Sequence, residues 1–420
     1  MVKASFGRLW SMVQPPAGAP AALGAQMFVS SIGSGVFAAG SAIFFTQYVG
    51  LNVTEVALGL SIAGIASFVS QVPMGLLVDK WGSRTAWLVA LSAQVLVFAV
   101  YPLAASFEHF VGIVVAAAMS SSLGGVARGR YIGDIVPTEF RVKVSAYMRA
   151  VLNGGYSCGV MLAGLALLID TDAAYLSLPL ANALSFAVDI VLVAMFCPRP
   201  IRSSTRNRTK RFAALRDMPF LTLVAINAVI MVSDVILTVV LPLWIIQQTD
   251  APKVMVAVVF FANTSLSVLF QVRVSKGADG LAGAARAQRK AGMVLAASCV
   301  MFAFTGFSTG IGTVLLLILG AVLLTFGELF EAVGSWGISY GLAPADKRGE
   351  YLATYGLGPE FVKMVGPSAI VAIVLSGNPL GWLSIGVMFI VGGALAVPAA
   401  AWAHRAKAEP TLDSQTAAQT

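Results

Sequence analysis

Three acidic residues lie inside long apolar runs of this sequence. Asp234 lies midway along the run 220–246, and Glu328 and Glu331 both lie in the run 312–336. A charge in the hydrocarbon of a bilayer costs at least about 2.5–3.5 kcal/mol, so an acid in such a place usually has a function. A carboxyl group there can bind a proton at one face of a membrane and release it at the other.

Glu328 and Glu331 are three residues apart, so both project from one side of a helix. Two carboxylates this close repel each other, and burial disfavours the ionised form, so one of them is expected to hold a proton. A structural alternative remains, in which the two glutamates join neighbouring helices by hydrogen bonds. Asp189, in the run 175–196, is better explained as a helix-packing or interface residue.

A short charged turn, Gly75-Leu-Leu-Val-Asp79-Lys80-Trp81-Gly82-Ser83-Arg84, separates two further apolar runs. So short a turn needs a residue with a permissive backbone, and Gly82 supplies it. Its bases are of the kind that anionic lipid headgroups attract, and any positively charged loop of a membrane protein would share that property. More charges crowd the end of the run 110–128, in the order Arg128, Arg130 and Asp134.

Twelve apolar runs carry these residues, each near or above the roughly 20 residues that cross a bilayer as a helix. The whole chain is 58% hydrophobic and only 11% charged, against about 25% charged in soluble domains. We therefore predict an all-α membrane protein with twelve transmembrane helices, of which the ninth is the shortest. The predicted spans are 23–49, 56–78, 86–105, 110–128, 144–169, 175–196, 220–246, 254–274, 291–307, 312–336, 353–375 and 380–403.

The net charge of +8 reflects membrane topology and does not indicate a nucleic-acid partner. Among 27 lysines and arginines, only Lys253 falls in the loops of one side. The side rich in bases is cytoplasmic, so both termini are predicted inside, in the inner or plasma membrane, with no cleaved signal peptide. The three cysteines and two histidines have no metal-ligand spacing, and a phosphate-binding glycine loop is missing. We expect no metal, no cofactor and no enzyme activity.

Two halves of the sequence repeat each other. Pro137 and Arg141 recur as Pro344 and Arg348, both 207 residues later, in corresponding loops. Similarly, Gln71, Val72 and Asp79 recur 200 residues later, and Gly159 matches Gly366. The repeat predicts two homologous six-helix halves, residues 1–196 and 220–405, joined by a basic cytoplasmic linker at 197–219 and followed by a disordered tail at 406–420.

The turn resembles the signature G-x-L-x-D-[RK]-x-G-[RK]-[RK] of the major facilitator superfamily, with Ser83 in place of one base. The resemblance implies a transporter with two pseudo-symmetric halves, whose cavity is lined mainly by spans 1, 4, 7 and 10. It also implies a cytoplasmic gate formed by charged residues at the inner helix ends. For Arg130, a place in this gate and a place at the membrane surface are equally good interpretations. The gate residues carried over are Gly75, Asp79, Lys80, Gly82, Arg84, Arg128 and Asp134.

The fifth run also resembles the exporter signature of that family, G-x-x-x-G-P-x-x-G-G. Gly155, Gly159 and Gly164 fit it, while Val160 replaces the proline and Ala163 a glycine. Ordinary packing of small residues between helices explains the same pattern. The arginine that the family carries midway along span four is missing between Ala116 and Ser122. This moves the expected site of proton coupling to Asp234, Glu328 and Glu331.

The resemblance is greatest to drug:proton antiporters with twelve helices. The sequence therefore predicts a monomer that binds protons and exports an amphipathic or hydrophobic small molecule across the lipid bilayer by alternating access. Uptake of a small nutrient is one alternative, although Asn227, Gln247 and Asn263 are few groups for recognising a polar substrate. A membrane receptor or scaffold that transports nothing is another.

Overall fold

The described part of the chain folds into twelve long helices. A computed structural model describes residues 21–104, 106–169, 171–200, 212–275, 280–375 and 380–416, and all regular structure in these ranges is helical. The helix α7 contains a π-helical turn at Ile236–Val240, and a similar turn at Phe44–Tyr48 follows α1. The helices are α1 Ala21–Ile43, α2 Val53–Trp81, α3 Ser83–Val100, α4 Phe107–Ile135, α5 Arg141–Ile169, α6 Asp172–Phe196, α7 Met218–Gln248, α8 Met255–Val274, α9 Gly280–Thr305, α10 Ile311–Leu342, α11 Arg348–Val374 and α12 Leu380–Thr416.

Local sequence sets several helix ends. At the start of α2, the Asn52 side chain accepts a hydrogen bond from the backbone of Glu55, and the Glu55 side chain accepts one from the backbone of Asn52. This reciprocal cap satisfies two backbone N–H groups that the helix leaves free. Between α2 and α3 a single residue, Gly82, has φ of 87°, a value that side chains disfavour. The chain thus reverses at Gly82, where the sequence predicted a residue with a permissive backbone.

The predicted spans coincide with the twelve helices, and the two largest shifts are at the start of α9 and the end of α12. The predicted start of α9 was residue 291, but the helix begins at Gly280. The bases Arg286, Arg289 and Lys290 interrupt the apolar run without interrupting the helix, because alanine, arginine and lysine all favour helical backbone. The helix α12 continues to Thr416, eleven residues past the predicted domain limit at 405. The predicted disordered tail therefore begins inside a helix.

Nine helices in the described ranges are long and apolar enough to cross a membrane. The apolar part of α8 is shorter, Val258–Val274. The other two helices, α5 and α9, begin with bases that lower their apolar character, such as Arg141 and Lys143 in α5. Bases at a helix start suit the membrane–water interface, so these helices are consistent with spans whose first turns lie outside the hydrocarbon.

The helices form two compact units. Within the described ranges, the first unit holds residues 21–200 and also 345–353, and the second holds residues 212–344 and 354–416. In the first, α1 packs against α5 and α6, α4 against α2 and α3, and α3 against α6. In the second, α7 packs against α12, α10 against α8 and α9, and α9 against α12. Four of the five pairings in the first unit recur between corresponding helices of the second unit, in agreement with the sequence repeat.

The helix α11 is divided between the two units. Its first residues, 348–353, cluster with the first unit, and residues 354–374 belong to the second. The domain limits at 196 and 220 remain a prediction from sequence. Residues 201–211 of the basic linker lie outside the described ranges.

Candidate functional site

Glu328 is buried on α10 and hydrogen-bonded to a neighbouring helix. The residue is only 7% exposed. Its Oε2 accepts a hydrogen bond of 2.7 Å from Nδ2 of Asn263 on α8. The same amide also donates to Oγ1 of Thr325, one turn earlier on α10, at 3.1 Å. Asn263 thus orients the carboxyl group of Glu328 from across the α8–α10 contact.

Glu331 is also buried, at 4% exposure, but it has different neighbours. It lies near the Tyr355 hydroxyl group on α11. That hydroxyl group is in turn beside Gln288 of α9 and Ser335 of α10. Glu328 therefore faces α8, whereas Glu331 lies near α9 and α11. The spacing predicted that both acids project from one side of the helix, and in the structure each has its own polar surroundings.

Asp234 lies on α7, two residues before the π-helical turn at Ile236–Val240. Asp234 is partly exposed, and its backbone carbonyl accepts a hydrogen bond of 2.7 Å from the Thr238 hydroxyl group. No hydrogen-bond or ion-pair partner of its carboxylate is recorded among the described residues. A π-turn loosens regular backbone hydrogen bonding and is frequent at functional sites.

In the first unit, Asp79 binds the beginning of α11. Its Oδ1 accepts a hydrogen bond of 2.9 Å from the backbone N–H of Gly349, and its Oδ2 accepts one of 3.0 Å from that of Glu350. A helix start carries free N–H groups and a partial positive charge, so a carboxylate stabilises it. Arg130 of α4 forms an ion pair with the same carboxylate.

Asp134 forms the second centre of this charged cluster. Its Oδ1 accepts a hydrogen bond of 2.8 Å from Arg348, and its Oδ2 accepts one of 2.8 Å from the Ser83 hydroxyl group. Arg130 lies 3.4 Å from Asp134, one helical turn away. Arg348 also donates to the carbonyl of Gly133 at 2.6 Å. We call Asp79, Arg130, Asp134 and Arg348 the charged cluster.

Two glycines allow this close approach. A Cβ atom at Gly75 would lie 2.6 Å from Cβ of Ala353 and 2.7 Å from the carbonyl oxygen of Gly349. A Cβ atom at Gly349 would lie 2.6 Å from Oδ1 of Asp79. Any side chain at either position would therefore separate α2 from the start of α11. This gives a physical reason for glycine at position 75 of the turn.

Three predicted gate residues lie away from the charged cluster. Lys80 is exposed. Arg84 donates to the carbonyl groups at the end of α6, at 2.8 Å to Ala194 and 3.1 Å to Cys197, where a cation suits the helix dipole. Its predicted place in the gate is thus corrected, because the turn directs it toward α6. Arg128 lies near Asp189 of α6.

The predicted packing glycines divide into two groups. A Cβ atom at Gly155 would lie 2.7 Å from the carbonyl oxygen of Phe28, and one at Gly159 would lie 2.1 Å from that of Ile32. Both glycines therefore let α5 approach α1. A Cβ atom at Gly164 meets nothing within 4 Å, so close packing does not require a glycine there and that prediction is corrected.

Sequence reasoning missed several members of the site. The sequence leaves Arg130 open between the gate and the membrane surface, and it does not mark Gly133, Gly349 or Asn263 as residues of the site. Arg348 was noted only as the repeat of Arg141, 207 residues earlier. That repeat was the available signal, since it marked the loop before α11 as the counterpart of the loop before α5.

A protein-family model matches most of the chain. The model described as the Major Facilitator Superfamily matches residues 23–367. No curated protein sequence matches the chain significantly.

Solved structures match the fold at low sequence identity. The human organic anion transporter MFSD10 has a TM-score of 0.70 at 15% identity, over 91% of this chain and all of that chain. A bacterial homologue of the iron transporter ferroportin, in an outward-facing state, has a TM-score of 0.70 at 16% identity, over 91% of this chain and 98% of its own. The proton:xylose symporter XylE has a TM-score of 0.61 at 13% identity, over 92% and 94%. Their different substrates show that the likeness extends to the fold alone.

Proposed function

This chain belongs to the major facilitator superfamily, whose members are secondary transporters and not enzymes, and from that premise we propose that it exports an amphipathic or hydrophobic small molecule in exchange for protons. It is a multi-pass membrane protein with twelve helices in two pseudo-symmetric halves. The substrate class, the direction, the proton, the monomeric state and the cytoplasmic termini are parts of the proposal.

The burial of Glu328 and Glu331 on one apolar helix is the observation that carries the proposal. A buried acid is costly when ionised, so it favours binding a proton wherever water can deliver one. The amide of Asn263 donates to Glu328 at 2.7 Å, and an amide N–H can donate to a carboxyl oxygen in either protonation state. Such surroundings allow a proton to bind and leave without loss of the hydrogen bond.

The charged cluster supports the gate part of the proposal. Asp79 holds the first turn of α11 within the first unit, while the remainder of α11 belongs to the second unit. Loss of the contacts to Asp79 would free that first turn. Alternating access needs such a reversible contact, because the two arrangements of a transporter must differ by little in free energy.

Nutrient uptake is the rival that uses the same fold. A polar nutrient needs several free polar groups in the binding site. The buried amides Asn227 and Gln288 are hydrogen-bonded to each other at 2.7 Å, which reduces their availability to a substrate. This favours an apolar or amphipathic substrate. A transport assay distinguishes both transport functions from a scaffold, since a scaffold would move no substrate.

The test is transport in liposomes with three variants, Glu328→Gln, Glu331→Gln and Asp234→Asn. The probe is the lipophilic cation ethidium, driven by an imposed pH gradient. We expect at least one variant to lose gradient-driven transport but to retain exchange of the probe without a gradient, since movement of the two halves survives. The two glutamate variants should differ in severity, because their neighbours differ.

The matched control is Glu108→Gln, which neutralises an acid in the exposed first turn of α4. It should transport as the unmodified protein does. Yield and thermal stability are recorded for each variant, since a purely structural role would reduce the folded protein in both glutamate variants. Unchanged coupling in all three variants would show that these acids do not carry the proton, and Asp189 and Glu360 would then be the next acids to test.

A further inference from the structure

A buried polar seam joins α1 to α6 in the first unit. Gln26 and Ser30 lie one helical turn apart on α1, and Asn182, Ser185 and Asp189 follow a similar spacing on α6. All five residues are buried, and Asp189 has no exposed surface. A polar seam between two spanning helices is expensive unless its groups bind one another.

The central contact of the seam leaves two oxygen atoms unmatched. Nε2 of Gln26 donates a hydrogen bond of 2.8 Å to Oδ2 of Asp189. The other two polar atoms of the same groups, Oε1 of Gln26 and Oδ1 of Asp189, are buried and have no hydrogen-bond partner. Both atoms are acceptors if Asp189 is ionised, so neither can satisfy the other. One proton on the carboxyl group removes this conflict.

We propose that Asp189 is a proton-binding site of the first half. With the proton on Oδ1, the acid O–H donates to Oε1 of Gln26 while Nε2 of Gln26 donates to Oδ2, so that acid and amide form a doubly hydrogen-bonded pair. Water supplies the proton and takes it back on release, and no other bond changes. The second hydrogen bond forms only while Asp189 is protonated, whereas the bond from Nε2 of Gln26 is present in both states.

Arg128 of α4 provides a partner for the deprotonated state. It lies within electrostatic range of the Asp189 carboxyl group, and Ser30 of α1 is the other polar group beside it. Asp189 is thus close to an amide on α1 and to a cation on α4. Release of the proton removes the O–H bond to Oε1 of Gln26 and adds a charge that attracts Arg128 on α4.

Among the described residues of the second half, the position that corresponds to Gln26 faces no titratable group of this kind. The residue 201 positions after Gln26 is Asn227 of α7, and its amide partner is Gln288 of α9. Two amides can bind each other but cannot titrate. The proposed site is therefore an asymmetry between the halves, and it goes beyond the proton site proposed for Glu328 and Glu331.

Infrared spectroscopy of the full chain in lipid tests this site, because a protonated carboxylic acid has a carbonyl band that a carboxylate lacks. We expect one such band to disappear in Asp189→Asn and to persist in the double variant Glu328→Gln, Glu331→Gln. Asparagine preserves both hydrogen bonds to Gln26, so this variant should fold. Removal of the amide in Gln26→Leu should shift the band, whereas the matched change Asn227→Leu should not.

Thermal unfolding as a function of pH gives a second measurement. If the folded protein holds a proton on Asp189 at a pH where the unfolded chain has released it, a rise in pH favours the unfolded chain. The unfolding temperature should therefore fall as the pH rises above the range in which ordinary aspartates titrate. This part of the fall should be absent in Asp189→Asn. A carbonyl band unchanged in Asp189→Asn would overturn the proposal, and so would an identical pH profile. Neither result depends on transport, so failure here is distinct from failure of the antiport proposal.

Discussion

The change Asp79→Asn tests the contact between the turn and α11. In the unmodified protein the Asp79 carboxylate accepts two backbone hydrogen bonds, at 2.9 and 3.0 Å, and its side chain is 15% exposed. Hydrogen bonds to a charged group contribute roughly 1.5–3 kcal/mol each, against about 1 kcal/mol for a neutral pair. Asparagine keeps one acceptor oxygen but presents an amide N–H to the other donor, so one bond is lost and the other weakened.

The loss worked from these contacts is about 3 kcal/mol, which corresponds to roughly a 100-fold change in the equilibrium that opens the first turn of α11. Hydrogen exchange measured by mass spectrometry reads this directly, since Gly349 and Glu350 donate the bonds in question. We expect the peptide that contains them to exchange about 100-fold faster in Asp79→Asn. Transport should fall as well, because the gate would lose its preferred closed contact.

The matched control is Lys80→Gln, which changes the charge of the same turn by one unit at an exposed position. It should leave exchange at α11 unchanged. If Asp79→Asn also leaves the exchange of this peptide unchanged, Asp79 does not hold α11 and the role given to the turn is refuted.

Three further predictions concern packing, pH and topology. Gly159→Leu should abolish folding, measured as monodisperse protein in detergent, because its Cβ atom would meet a backbone oxygen at 2.1 Å, whereas Gly164→Leu should fold. A backbone N–H lowers the pKa of Asp250, so its contribution to stability should be present at neutral pH and lost as the pH falls through that lowered value; thermal unfolding of Asp250→Asn should lack this acid dependence. A cysteine replacing Ser203 should react with an impermeant reagent only from the cytoplasm, and one replacing Thr171 only from outside; labelling of the former in intact cells would reverse the topology.

Features that depend on neighbouring residues were predictable from the sequence. The turn at Gly82 follows from the need for one residue of positive φ between two spans, and the structure has it there. The spans themselves follow from long apolar runs. The start of α9 was missed because its bases end the apolar run, although the helix continues through them. Hydropathy measures the transfer of side chains into lipid, whereas helix formation also depends on the helix propensity of each residue, which is high for alanine, arginine and lysine.

Contacts between distant residues were less predictable. Asp79 and Gly349 are 270 residues apart, and the sequence alone does not indicate that a carboxylate meets a particular helix start. Arg84 was assigned to the gate by resemblance, but its side chain reaches α6 instead. The direction of a side chain depends on which neighbouring helix offers a partner, and this depends on the packed fold. The buried pair of Gln26 and Asp189 is of the same kind.

The direction of the pH gradient that drives transport tests the central claim most directly. Liposomes containing the unmodified protein are prepared with either an acidic or an alkaline interior, and uptake of ethidium is followed with and without an uncoupler. Exchange of the probe for protons predicts uptake into acidic liposomes, where protons leave as the probe enters, and loss of this uptake on adding the uncoupler. Uptake driven only by an alkaline interior, or none beyond that of protein-free liposomes under either gradient, would contradict the account.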